Sequence, residues 1–163
     1  MREHGGMMDA TRVDSSEVER RWNQRFLDEG LHPWGREPNT TVAEIVAPLT
    51  PGDVLDLGAG EGRNAHWLAD RGWRVTAVDI SSVALETLRE DSWGEGWDLT
   101  TIHADLRGWR PPQEQFDLVL LSFVHLEQPH RGELHRAAAA ALRPGGTLVL
   151  VAHDRSNIEQ GVG

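Results

Sequence analysis

The stretch Val54-Leu55-Asp56-Leu57-Gly58-Ala59-Gly60-Glu61-Gly62-Arg63-Asn64 decides how the rest of the chain is read. An apolar run suited to a buried strand stops at three alternating glycines, and a helical pattern follows at once. Further on, Val75-Thr76-Ala77-Val78 is a second apolar run that ends in Asp79. A glycine-rich strand-to-helix turn, followed by an acid at the end of the next strand, is how βαβ units hold a nucleoside.

The turn departs from the dinucleotide pattern. NAD-binding turns read G-x-G-x-x-G, and the helix that follows points its N-terminus at a pyrophosphate. Here the spacing is G-x-G-x-G, with Arg63 where the third glycine would stand. Glu61 is expected to repel a pyrophosphate. A cationic ligand reverses that sign, and Asp56, Glu61 and Asp79 together suit the sulfonium nucleoside S-adenosylmethionine.

Composition narrows the chemistry. The chain has 163 residues, enough for one core, and a net charge of -10, which argues against a nucleic-acid substrate. It has no run of apolar residues long enough for a membrane helix and no apolar secretory leader, so a cytoplasmic protein with no membrane partner is expected. With no Cys there is no thiol nucleophile or disulfide, and with no Lys there is no P-loop lysine or Schiff base. With no Tyr there is no Tyr-Lys pair for dehydrogenase chemistry.

Residues 1–15 read as a flexible tail and 16–163 as one domain. Ser16 and Glu19 have capping-box spacing, and Val18, Trp22 and Phe26 predict a helix over 16–29 that Gly30 stops. The Pro- and Gly-rich segment 30–38 predicts a loop. Asn39 or Thr40 caps a second helix whose apolar face is Val42, Ile45, Val46 and Leu49. Strands are expected at 53–57, 74–79, 99–103, 116–122 and 147–152. Between them run helices from Glu61, from Ser81 or Ser82, and from Pro129, and Pro144-Gly145-Gly146 reads as the turn before the last strand. Such alternation predicts an α/β fold with a doubly wound, Rossmann-like parallel sheet of five strands and helices on both faces.

The assembled pattern resembles class I S-adenosylmethionine-dependent methyltransferases over about residues 16–157. It does so through Asp56-Leu57-Gly58-Ala59-Gly60-Glu61-Gly62, Asp79, Asp105, Phe116-Asp117-Leu118-Val119 and Leu142-Arg143-Pro144-Gly145-Gly146. A narrower set is Trp22-Asn23-Gln24-Arg25, Pro33-Trp34-Gly35, Pro38-Asn39 and Gly62-Arg63-Asn64. This set is similar to the tellurite-resistance and thiopurine/thiol methyltransferase branch, where the N-terminal segment folds over the cofactor. The resemblance implies the strand order 3-2-1-4-5 and S-adenosylmethionine as cofactor. It also implies a small-molecule acceptor such as a thiol, thiopurine or chalcogen oxyanion. Family members usually continue past strand five with an antiparallel hairpin, whereas this sequence stops at Gly163. The expectation is therefore a domain truncated after strand five that self-associates through that strand's edge.

The resemblance places the cofactor on Trp34, Arg36, Asp56, Gly58, Ala59, Gly60, Gly62, Arg63, Asn64, Asp79, Ile80, Ala104, Asp105, Leu106 and Ser122. Asp79 would accept the ribose hydroxyls and Asp105 the adenine amino group. Trp34 would close over the sulfonium, within a 30–38 lid that is mobile without ligand. His125 and His153 follow strands four and five and are the candidates for an acceptor-side base. Trp93, Trp97 and Trp109 are expected to cap the sheet edge, and no metal is expected. Two rival readings stand beside the enzyme: a catalytically inactive module that binds S-adenosylmethionine or another nucleoside, and an NAD-dependent oxidoreductase.

Overall fold

Strand β1 (Asp53–Leu57) is flanked by β2 (Arg74–Asp79) and β4 (Phe116–Ser122) in the structure, a computed structural model that describes residues 14–30 and 32–153. The full order is β3-β2-β1-β4-β5, all parallel, with β3 at Leu99–His103 and β5 at Leu142–Val151. Val54 sits opposite Val75 and Leu118, and Leu57 opposite Val78 and Leu121. The order reverses between β1 and β4, so the crevice that opens there lies at their carboxyl ends, where open α/β sheets bind ligands.

The two sheet faces are buried by different helices. On one face α2 (Thr40–Val46), α3 (Arg63–Asp70) and α4 (Ser82–Asp91) place Val42, Val46, Leu68, Leu85 and Leu88 against Val54, Leu118 and Leu120. On the other, α5 (His130–Ala141) places Leu134, Ala138 and Ala141 against Leu55, Leu57, Val119 and Leu121. The continuous apolar run Leu118–Leu121 is buried throughout, as a central parallel strand requires. Each of these leucines contributes roughly 1.5–3 kcal/mol by leaving water.

Several boundaries differ from the expectations. Helix α1 (Ser15–Glu29) is capped by Asp14, whose carboxylate accepts the Ser16 N–H, so the helix starts one residue before the expected Ser16 cap. Ser15, expected in the tail, is thus helical; residues 1–13 lie outside the described residues. Ile45 is exposed, because the seven-residue α2 buries only the narrow face of Val42 and Val46. Helix α3 begins at Arg63 rather than Glu61, since Gly62 holds a left-handed φ of 87° at its N-cap.

Strand β5 begins at Leu142 rather than Thr147. Leu142 pairs with Phe116 and Thr147 with Leu118, so Pro144-Gly145-Gly146 is a bulge inside the strand instead of a turn before it. Among the described residues β5 pairs only with β4, and its Leu148 and Leu150 are exposed. Of the three tryptophans expected at the edge, Trp97 and Trp109 pack against the two cores while Trp93 stands in solvent, 89% exposed. No helix among the described residues is long and apolar enough to cross a membrane.

Candidate functional site

The glycine turn is sewn to the end of β2 by backbone hydrogen bonds. The amides of Gly58 and Ala59 donate to the Val78 carbonyl at 2.8 and 3.1 Å. The Gly60 amide donates to Asp79 Oδ2 and the Ser81 amide to Asp79 Oδ1, both at 2.8 Å. Asp79 therefore holds the turn and the start of α4 in one arrangement. Burial raises its pKa, and these backbone N–H donors oppose that rise. Each carboxylate oxygen retains further lone-pair capacity, because a carboxylate offers about four acceptor sites.

Two of the three glycines are required by neighbouring side chains. A Cβ on Gly58 would lie 2.5 Å from Val124 Cγ2, so its absence lets the segment after β4 close onto the turn. A Cβ on Gly62 would fall on Leu88 Cδ1, and Gly62 thereby sets the close packing of α3 on α4.

Asp56 is the most unusual side chain in the crevice. It is 1% exposed, and neither carboxylate oxygen has a hydrogen-bond partner among the described residues. Burial, and then the negative charge of Asp79, push its pKa up to about 7 against the pull of Arg63. The Ser122 hydroxyl at the end of β4 is also buried without a partner among the described residues. Orphaned buried polar groups of this kind are costly and mark a place where something else donates.

Residues expected around the adenosine side are brought to the same edge of the sheet. The Ala104 amide donates to the Asp79 carbonyl at 2.9 Å, and Leu106 is buried in the second core. The Ile80 carbonyl lies 2.9 Å from His103 Nε2. Asp105 is already engaged: Arg107 grips both its oxygens at 2.6–3.0 Å and the Ser15 hydroxyl donates to it at 2.7 Å. Burial alone would raise its pKa, but the hydrogen bonds from Arg107 and Ser15 hold it down to about 2.

Helix α1 is fastened across the ends of β2 and β3. Asn23 Oδ1 accepts the Ser81 hydroxyl at 2.7 Å and the Val83 amide at 3.3 Å, and Asn23 Nδ2 donates to Ser82 Oγ at 3.1 Å. Glu19 takes the Ser82 hydroxyl at 2.9 Å and lies 3.1 Å from His103. Phe26, the one buried residue of α1, faces Gly60. The latching roles of Ser15, Glu19 and Asn23 were missed in the sequence, because polar residues on a helix carry no periodic signal.

The segment after α1 is tied down as well. Arg63 Nη1 donates to the Trp34 carbonyl at 3.1 Å, and Asn64 Oδ1 accepts the Asn39 amide at 2.9 Å. Arg63 and Asn64, expected at the cofactor, spend these contacts on holding the loop. The Trp34 ring meets Phe26 edge-on at 5.5 Å and lies under the Arg25 guanidinium at 5.3 Å. Arg36 pairs with Asp91 at 3.2 Å. Glu61 is buried, with a carboxylate oxygen 3.7 Å from His32 Nδ1.

At the ends of β4 and β5, Phe123, His153 and His125 form a row of rings with centroids 4.6 and 5.5 Å apart. Burial first, and His153 second, lower the pKa of His125. The structure thus brings the two expected histidines together. No cluster of three or more metal-ligating side chains occurs among the described residues.

A family model described as methyltransferase domain matches residues 54–146. The chain is similar to the cypemycin N-terminal methyltransferase of a Streptomyces species, 33% identical over 120 residues that make up 71% of this chain and 48% of that enzyme. It is 32% identical over 143 residues to a probable non-canonical nonribosomal peptide synthetase, CymA, of Salinispora arenicola, covering 79% of this chain and 2% of that protein. Among solved structures, an S-adenosylmethionine-dependent methyltransferase from Mesorhizobium loti superposes with a TM-score of 0.61 at 30% identity, covering 71% of this chain and 54% of that one. The chain spans about half or less of the length of the curated relatives named here.

Proposed function

The chain belongs to the methyltransferase domain family, and on that premise we propose that it transfers a methyl group from S-adenosylmethionine to a small-molecule acceptor. When bound, that cofactor supplies a methyl group already activated on a sulfonium, so the protein's part is chiefly to orient and to exclude water. The observation that carries the reading is Asp56. A buried carboxylate with no donor of its own among the described residues, beside the glycine turn, is matched by the ammonium of a methionine moiety.

The other residues take roles around it. Asp79 uses its remaining lone pairs for ribose hydroxyls, while Gly58, Ala59 and Gly60 offer close backbone. Ile80, Ala104 and Leu106 flank the base, and Asp105 accepts its amino group on an oxygen shared with Arg107. Ser122 donates or accepts from the end of β4. Trp34, Arg36, Gly62, Arg63 and Asn64 act through the loop and helix they hold in place.

For the acceptor, the reading is a thiol, thiopurine or chalcogen oxyanion, in the manner of the tellurite-resistance and thiopurine branch. Support comes from α1 and the 32–39 loop, both fastened over the glycine turn. The imidazole of His125, kept toward its neutral form, takes the proton of a thiol. His125→Ala should then lower kcat/KM by about a hundredfold for thiols and far less for an acceptor that is already an oxyanion. Production of S-adenosylhomocysteine across such a panel tests this, and equal losses for both acceptor types would contradict it. A second reading is a binding module without turnover of its own. Tight S-adenosylhomocysteine binding with no product from any acceptor would support it.

We also propose self-association through the β5 edge, on the exposed Leu148 and Leu150. Light scattering should show a dimer that Leu148→Lys converts to monomer. A wild-type monomer at all concentrations would contradict this.

A further inference from the structure

We infer that His32 is a positioning residue for the cofactor turn, bridging Glu61 and Asp91 only as the imidazolium and so fastening the 32–38 segment over that turn in a pH-dependent way. The bridge spans three elements. Nδ1 lies 3.7 Å from Glu61 Oε2 in the glycine turn, and Nε2 lies 3.0 Å from Asp91 Oδ2 at the end of α4. His32 and Glu61 are 13% and 7% exposed at their side chains, so water screens the pair poorly. His32 Nε2 and Asp91 Oδ2 are buried and lack a well-directed hydrogen bond, so the attraction between them is electrostatic.

Both ring nitrogens face carboxylate oxygens. A neutral imidazole turns one lone pair toward an anion; the imidazolium has none and presents positive charge to both carboxylates. The other charged and titratable groups facing the cluster do not replace it. Arg36, 65% exposed, pairs directly with Asp91 at 3.2 Å and acts on Glu61 only as the last of the groups that oppose its raised pKa. His66 of α3 sits 3.4 Å from the Leu88 carbonyl, and burial lowers its pKa. Burial likewise raises that of Glu61; the charge of the His32 ring is the first cause opposing the rise, and the His32 backbone N–H, which is indifferent to pH, is the second.

The backbone is arranged to present this ring. His32 adopts a left-handed φ of 59°, which histidine tolerates better than most residues, and its carbonyl accepts the Gly35 amide at 2.9 Å. Arg63 and Asn64 hold the far end of the segment through Trp34 and Asn39. The His32 bridge is the tie at its near end, and it pulls on Glu61, the residue between Gly60 and Gly62. Only the consequence for cofactor exchange rests on the S-adenosylmethionine reading.

The test measures hydrogen-exchange protection of the 34–37 amides in the ligand-free protein at about pH 6 and about pH 8.5, the span over which imidazoles lose their proton. It also measures the release rate of S-adenosylhomocysteine at both values. In the wild type, protection should fall about tenfold at the higher pH and release should quicken to match. His32→Gln should be poorly protected and pH-independent, and His32→Arg well protected and pH-independent. Asp91→Asn should lose most of the wild-type pH response. An identical pH response in His32→Gln, or a flat wild type, overturns the inference. If the ligand-free response is as predicted but S-adenosylhomocysteine does not bind at either pH, the cofactor reading fails and the latch stands.

Discussion

Replacing Asp56 by asparagine is expected to make the ligand-free protein more stable at neutral and alkaline pH while weakening its hold on S-adenosylmethionine. The carboxyl is raised to about 7 in the folded chain, against about 3.9 when unfolded. Between those values the folded state binds more protons than the unfolded one, so stability falls as pH rises and the loss is complete above the folded value. A shift of that size corresponds to a loss on the order of 4 kcal/mol. The asparagine side chain cannot ionise, so the variant should match the wild type near pH 4 and exceed it most at about pH 8. Chemical denaturation across that range measures the difference. The same substitution removes the counter-charge to an ammonium and should cost about ten- to a hundredfold in affinity. A wild-type stability profile that the variant simply parallels would contradict the account of Asp56 as a buried charge kept for a ligand.

Asp79→Ala should have the largest effect on binding. The substitution removes the acceptor of both the Gly60 and the Ser81 amides as well as the partner of the ribose. The turn loses its tie to β2, and a stability loss of about 3 kcal/mol follows from the two charge-assisted bonds. Affinity for S-adenosylhomocysteine should fall about a hundredfold or more. Because the charge of Asp79 also raises the pKa of Asp56, the two substitutions should not be additive. Each single substitution relieves the same repulsion between the two carboxylates, so the double variant should be less stable than the sum of the two predicts. Asp79→Asn keeps one acceptor oxygen and should retain the fold while binding weakly, which separates loss of the turn from loss of the ligand contact.

The fold was legible because its signals are local. Apolar runs and glycine or proline stops placed β1 to β4 on their observed residues, and the parallel sheet follows from strand–helix alternation, while its order came from the family resemblance. The start of β5 was not, because Pro144-Gly145-Gly146 reads as a turn, and only the pairing of Leu142 with Phe116 makes it a bulge. For the site, the sequence reached the residues but not always their partners. Glu61 stands in the glycine turn, yet the ring beside it, His32, comes from the segment after α1. Gly62 combines a left-handed backbone with close contact to Leu88, which lies on another helix. Asp105 carries an acid's signature, yet Arg107 and Ser15 engage it, the latter from 90 residues away. Tertiary neighbours decide such roles, and no spacing rule within one segment reports them.

Calorimetric titration of the ligand-free protein with S-adenosylhomocysteine, and separately with NAD, tests the central claim most directly when wild type and Asp79→Ala are compared. The account predicts one-site binding of S-adenosylhomocysteine to the wild type, no binding of NAD, and about a hundredfold weaker binding to a variant that keeps its far-ultraviolet circular dichroism. Binding of NAD, or an affinity for S-adenosylhomocysteine that Asp79→Ala leaves unchanged, would contradict it.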